Sequence, residues 1–204
     1  MSARFIAIAG NIGAGKSTMV GFLSRKFGLQ PLYEPVDDNP YIAHFYEDME
    51  RWAFNSQVFY LSRKFALHLE AQKTDKRVIH DRSIYEDAEI FVENLHRRKG
   101  LSKRDYNTYM ELYHTIRSEL QPPDLLIYLR CSVRGVRRRI KNRGRESEMA
   151  IPLTYIQKLH KQYEAWFEQY DLGPKAVIET EKLDYLRDII HRVDFIEQIE
   201  QLLA

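Results

Sequence analysis

Short apolar runs alternate along this chain with longer, charged, helix-like segments. Phe5–Ala9, a short piece around Leu32-Tyr33, Val78-Ile79-His80, Leu125–Leu129 and Ala176–Ile178 read as strands. Helices are expected at about 15–27, 40–73, 83–120, 132–170 and 185–203. Strand followed by helix, repeated, predicts an α/β fold: a parallel sheet of five strands covered by helices on both faces. The punctuation agrees. Ser83 and Ser102 precede helical runs with Glu86 and Asp105 three residues on, Pro122-Pro123 stops a helix before the fourth strand, and Gly100 and Gly173 mark turns. No repeat, linker or low-complexity tract interrupts the pattern, so one domain spanning 1–204 is expected.

Composition narrows the picture. The 31 basic and 29 acidic residues nearly cancel, so no global charge recruits nucleic acid or an anionic membrane. A single cysteine, Cys131, has no internal disulfide partner, which suits a reducing, cytoplasmic setting. Met1 to Arg4 run straight into the first strand without a signal-peptide pattern, and no run of about 18 apolar residues is present. The expectation is a cytoplasmic protein with neither a membrane nor a nucleic acid as partner.

The chemistry starts at the end of the first strand. Gly10-Asn11-Ile12-Gly13-Ala14-Gly15-Lys16-Ser17-Thr18 is a G-x-x-x-x-G-K-S loop placed between a strand and a helix, the context in which backbone N–H groups and a helix N-terminus cradle phosphate. Lys16 would bridge the β- and γ-phosphates and Ser17 would offer its hydroxyl to Mg²⁺. The D-x-x-G and N-K-x-D motifs of a GTPase switch are missing. Transfer to a small acceptor fits better, with ATP and Mg²⁺ as the donor pair.

In a parallel sheet, ligands lie beyond the carboxyl ends of the strands. Glu34 and Asp81 are expected there, ending the second and third strands. A hydroxyl acceptor benefits from a carboxylate that takes its proton, whereas a phosphate acceptor needs cations instead, so Glu34 discriminates between the two. Its alternative role is a solvated helix cap. Asp81 would reach Mg²⁺ through water, and Arg82 would stabilise phosphoryl charge or hold Glu34 ionised. From Arg134 to Arg145 seven basic residues occur without an acid, Arg139, Arg143 and Arg145 among them. That run suits a lid, at about 139–150, closing over a triphosphate. A solvated face or a nucleic-acid patch remain alternatives, the second weakened by balanced overall charge and a lack of interleaved aromatics. Gln57, set among Tyr46, Trp52, Phe54, Phe59 and Tyr60, carries the donor–acceptor pair that reads a nucleobase edge, although the aromatics themselves could be plain core.

These segments, together with Glu34-Pro35-Val36, Asn39-Pro40-Tyr41 and Asp81-Arg82-Ser83-Ile84-Tyr85-Glu86-Asp87, resemble the deoxynucleoside kinase family, in particular bacterial deoxyadenosine/deoxyguanosine kinases. The resemblance implies a P-loop kinase fold with a five-stranded parallel sheet and an arginine-rich lid, working as a homodimer in nucleotide salvage. It implies Glu34 as general base on the 5′-hydroxyl, supported by Arg82, and Tyr46 with Glu148 on the deoxyribose 3′-hydroxyl. Gln57 and Asp87 would read the base, with Lys64 where relatives often carry arginine, and Arg139, Arg143 and Arg145 would serve as lid arginines. Asp81 stands where the family usually has a metal-binding glutamate, and Ser147 where some relatives have a second lid glutamate. Deoxyadenosine is the expected acceptor, with deoxycytidine or deoxyguanosine next. A thymidylate-type nucleotide kinase and a non-enzymatic nucleotide-binding module are the competing readings.

Overall fold

A computed structural model describes residues 3–35 and 38–203, and of Glu146 and Ser147 only the backbone. Val36 and the Ser147 side chain, both singled out above, lie outside the described residues. Five strands, β1 (Phe5–Ala9), β2 (Gln30–Leu32), β3 (Val78–Asp81), β4 (Leu125–Arg130) and β5 (Lys175–Glu179), form one sheet in the order β2-β3-β1-β4-β5. Every pairing is parallel, with Ile8 opposite both Asp81 and Ile127.

Alternation along the strands splits the core in two. Ala7, Ala9, Leu126 and Tyr128 face one layer; Ile6, Ile8, Leu125, Ile127 and Leu129 face the other. The second layer is closed by α1 (Lys16–Phe27) and α10 (Ile189–Leu203) through Met19, Val20, Leu23, Phe195 and Ile199. The first is closed by α3 (Met49–Lys73), α6 (Lys103–Arg117), α9 (Leu153–Gln169) and the helical segment beginning at Ile84. Side chains such as Ile8, fully buried, each contribute about 1.5–3 kcal/mol to this arrangement.

Three long helices expected from the sequence are each divided, several of the breaks at identifiable residues. The 40–73 stretch becomes α2 (Ile42–Glu47) and α3, because Asp48 leaves helical geometry and its side chain accepts the Arg51 N–H. The 83–120 stretch becomes α4 (Ile84–Glu86), a π-helical turn (Asp87–Val92), α5 (Glu93–Arg97) and, after Gly100, α6 capped by Ser102. The 132–170 stretch becomes α7 (Val133–Arg143), α8 (Glu146–Met149) and α9, broken by Gly144 at φ 68° and again before Pro152. The second strand lies one to two residues earlier than expected: it ends at Leu32, Tyr33 is exposed, and Glu34 sits in the loop beyond. The last helix starts at Ile189, since 180–188 form a loop.

Candidate active site

The loop from Gly10 to Thr18 leaves the centre of the sheet and turns into α1, whose N-cap is Gly15 at φ 101°. Distant parts of the chain hold its backbone. Glu86 Oε1 accepts the Gly10 N–H at 3.2 Å and the Tyr163 hydroxyl at 2.9 Å, while Oε2 accepts the Ser83 N–H at 2.8 Å. Arg139 Nη1 donates to the Ala14 carbonyl at 2.7 Å and to Thr180 Oγ1 at 3.0 Å. Lys16 Nζ donates to the Gly10 and Asn11 carbonyls at 3.0 and 3.2 Å, and burial, with Arg82 nearby, lowers its ammonium to about 8.

Gly13, at φ 78°, packs directly on α7. A Cβ there would stand 2.8 Å from Ile140 Cγ1 and 3.1 Å from the Val136 carbonyl oxygen. Gly13→Ala is therefore expected to destabilise the protein by about 1–3 kcal/mol and to raise the KM for ATP. Thermal denaturation with and without ATP checks this; an unchanged Tm and KM would show that α7 yields freely.

Beyond the ends of β2 and β3, charges gather in alternating sign. Glu34 Oε1 accepts from Arg82 Nη1 at 2.9 Å and lies 3.1 Å from Lys64 Nζ. Lys64 Nζ also donates to Asp87 Oδ1 at 2.6 Å. Burial alone would raise the Glu34 carboxyl, but Arg82, Lys64 and Lys16 outweigh it and hold it at about 2. Asp87 goes the other way: burial prevails over Lys64 and pushes its carboxyl up to about 6. Arg82 reaches this position from a left-handed backbone, φ 65°, with its guanidinium 4.5 Å from the Phe91 ring centroid. Such a conformation costs a non-glycine residue about 1–3 kcal/mol.

Ser17 Oγ donates to Asp81 Oδ2 at 2.5 Å, and Asp81 Oδ1 is buried without a hydrogen-bond partner among the described residues. A hydroxyl and a carboxylate with an oxygen to spare are hard donors. They fit a small divalent cation that takes most of its ligands from phosphate and water.

A cavity opens between this cluster and α2, α3 and α8. Glu34, Tyr46, Gln57, Arg82, Asp87 and Glu148 line it together with Lys16 and Ser17 of the loop. Asn39 sets the α2 side of the wall: its Nδ2 donates to Ser56 Oγ at 3.0 Å and its Oδ1 accepts the Tyr41 N–H. Two acceptors in the wall are buried and unpartnered among the described residues, Gln57 Oε1 and Asp87 Oδ2. Glu148 is tied to Arg143 by a short ion pair, with Arg145 Nη1 at 3.6 Å from its other oxygen. A second, wider cleft of about 600 Å³ lies across the phosphate loop, between α7 and the loop Thr180 to Arg187. Arg139 and Arg143 line it, and Arg143 borders both spaces.

A sequence model of the deoxynucleoside kinase family matches residues 6–204. The chain belongs to the deoxynucleoside kinase family. It is 35% identical over 201 residues to the deoxyadenosine/deoxycytidine kinase of Bacillus subtilis, covering 97% of this chain and 92% of that protein. To the deoxyguanosine kinase of Lactobacillus acidophilus it is 39% identical, with 95% and 88% covered. The solved structure of deoxyadenosine kinase from M. mycoides with bound dATP superimposes with a TM-score of 0.83 at 33% identity, over 97% of this chain and 99% of that one.

As a deoxynucleoside kinase this is an ATP-dependent phosphotransferase. The structure brings Glu34, Tyr46, Gln57, Arg82, Asp87 and Glu148 around one cavity, and the loop Gly10 to Thr18 joins it to the second cleft. Lys64 pairs with Asp87, one of the roles open to it from the sequence. Its side chain is fully buried behind the cavity wall, because two carboxylates compete for it, and it does not line the space as a base-contacting residue would. Arg139 is committed to backbone and Thr180, so in this deoxynucleoside kinase it braces the phosphate loop from the side of the cleft. Arg145 lines neither space among the described residues. The sequence reading missed Phe91 and Tyr155 in the cavity wall and the whole Thr180 to Arg187 side of the cleft. Phe91 lies four residues after Asp87, a helical spacing that could have pointed to it; Tyr155 and the 180–187 loop carry no local signal. No helix among the described residues is long and apolar enough to cross a membrane.

Proposed function

We propose that this enzyme transfers the γ-phosphoryl group of ATP to the 5′-hydroxyl of deoxyadenosine, and less readily of deoxycytidine or deoxyguanosine. One observation carries this reading. A carboxylate held ionised, Glu34, borders the same cavity as two unpartnered buried acceptors, Gln57 Oε1 and Asp87 Oδ2, with the phosphate loop at its mouth. Buried acceptors without donors cost free energy, and an exocyclic amino group satisfies them where a carbonyl oxygen does not. Adenine and cytosine carry that amino group on the reading edge; guanine and thymine carry a carbonyl. The two relatives named above are a deoxyadenosine/deoxycytidine kinase and a deoxyguanosine kinase, which supports this set of acceptors.

In this mechanism the 5′-hydroxyl gives its proton to Glu34. Both cations hold Glu34 through Oε1, which leaves Oε2 for the hydroxyl. Arg82 keeps the carboxylate in place and faces the charge that develops on the transferring group. Mg²⁺, held by Ser17 and Asp81 directly or through water, would neutralise phosphate charge. Arg143 would close over the phosphates as part of a lid at 139–150, while Arg139 braces the loop beneath them. Tyr46 and Glu148 would grip the 3′-hydroxyl. A single catalytic domain, a homodimeric assembly and a cytoplasmic location complete the proposal.

Four deoxynucleosides and their monophosphates, each assayed with ATP and Mg²⁺, test it. Deoxyadenosine should lead and thymidine trail, and adenosine should lose to deoxyadenosine because a buried 2′-hydroxyl without a partner costs about 1–3 kcal/mol. Turnover of monophosphates alone would overturn the reading. The preference should also depend on pH. Above about 6 Asp87 is ionised and only accepts; below it, the protonated carboxyl can donate to a carbonyl. The ratio of kcat/KM for deoxyadenosine over thymidine should therefore shrink as pH falls from 8 to 5.5. A ratio that stays constant across this range removes Asp87 from the base edge.

A further inference from the structure

Lys64 is placed where no substrate can touch it, yet it contacts both carboxylates on which the proposed reaction depends. It projects from the middle of α3 with a side chain of 0% exposure, and its ammonium lies 2.6 Å from Asp87 Oδ1 and 3.1 Å from Glu34 Oε1. The Tyr60 ring stands 5.5 Å away on the same helix. Burying an ammonium costs several kcal/mol unless carboxylates compensate it. Here two do, and they come from different elements: Glu34 from the loop after β2, Asp87 from the π-helical turn. Among the described residues, that loop has no sheet partner beyond Leu32. Its carboxylate is fixed by Arg82, itself held in a strained backbone, and by Lys64.

We infer that Lys64 is a positioning residue of phosphoryl transfer: one buried ammonium fastens the proton-accepting Glu34 to the base-reading Asp87, so that the aim of Glu34 depends on both. The inference rests on Glu34 as general base. It makes Lys64 act on the chemical step for every nucleoside, rather than on the affinity of amino-bearing bases alone. Asp87 keeps Oδ2 for the base while Oδ1 serves Lys64, so recognition and alignment use separate oxygens of one carboxylate.

The test compares Asp87→Asn with the double variant Lys64→Met/Asp87→Asn, which removes one positive and one negative charge together and keeps the length of the side chain. Single-turnover rates are measured with saturating ATP, for deoxyadenosine and for thymidine. The double variant should be slower than Asp87→Asn by a further tenfold or more, roughly, with both nucleosides, because misplacing a reacting group by about 1 Å costs up to 10²-fold. Equal rates, with any difference confined to KM, would show that Lys64 acts only through Asp87 and overturn the inference. A second comparison covers the case in which the first pair folds poorly. In a Glu34→Gln background, Lys64→Met should cost nothing further in rate, since the group it positions is gone; an additional tenfold loss there overturns the inference too. Full activity of Glu34→Gln by itself is a different result, which removes the general base and not the role of Lys64 alone.

Discussion

Glu34→Gln should lower kcat by about 10²-fold or more while leaving nucleoside affinity nearly intact, because what it loses is a proton acceptor used only in the transition state. The surroundings of Glu34 sharpen that expectation. With its carboxyl held at about 2, Glu34 is ionised throughout the working range, so the kcat profile should show no limb near pH 4–5 from this group. A carboxylate so stabilised is a weak base, and its contribution lies in position: Oε1 is pinned by two cations and the residue borders the cavity. The amide also leaves Arg82 and Lys64 facing one another with less compensation, which should lower stability, by up to about 3–5 kcal/mol where a buried pair is broken. Rates must therefore be read well below the variant's Tm. Glu34→Asp is the useful companion, since it keeps the charge and should recover stability without recovering kcat. Retention of more than roughly a tenth of wild-type kcat by Glu34→Gln, with chemistry shown to be rate-limiting, would falsify the base assignment.

Arg143→Ala should cost about 2–4 kcal/mol in kcat/KM for ATP, the usual scale for removing a preorganised charge from a site of developing negative charge. The geometry adds a second effect. Arg143 borders both the acceptor cavity and the wide cleft, and it is bound to Glu148. Its removal leaves that largely buried carboxylate with the more distant Arg145, at 3.6 Å, so the clamp expected on the 3′-hydroxyl should loosen and the KM for deoxyadenosine should rise as well. A sequence reading of Arg143 as a triphosphate residue alone gives no change in nucleoside affinity. Measuring nucleoside binding in the absence of ATP separates the two. Arg143→Lys keeps the charge and should recover part of the ATP effect, but not the two-sided contact that a guanidinium makes. Loss of nucleic-acid binding with kinase activity preserved would instead turn the basic run into a patch of another kind.

What the sequence discloses here follows physical range. Five apolar runs are short and flanked by charge, so each strand could be located, and G-x-x-x-x-G-K-S needs only its neighbours to be understood. Glu34 was legible from its place after a strand, although β2 ends two residues sooner, because the tie that fixes Glu34 comes from Arg82 and Lys64 rather than from the sheet. Helix ends turned on single residues, as at Asp48 and Gly144, and a periodic pattern passes over such points without a break. Lys64 was singled out by resemblance as standing where relatives often carry arginine, yet its side of the wall depends on how α3 is rotated against β3, which no local pattern encodes. Glu86 shows the same limit. Its capping box with Ser83 could be read from spacing three, but its grip on the Gly10 N–H and the Tyr163 hydroxyl joins residues 76 and 77 positions away.

The brace on the phosphate loop has a consequence for the newborn chain. The loop is made well before its brace: the Ala14 carbonyl is secured by Arg139, 125 residues later, which is in turn held by Thr180, 166 residues beyond Ala14. β1, from which the loop departs, gains its two neighbours only when β3 and β4 have been made. Contacts this distant form slowly, since each must first close a long stretch of flexible polypeptide. A nascent kinase should therefore carry an intact nucleotide motif that lacks its brace until Thr180 has been made.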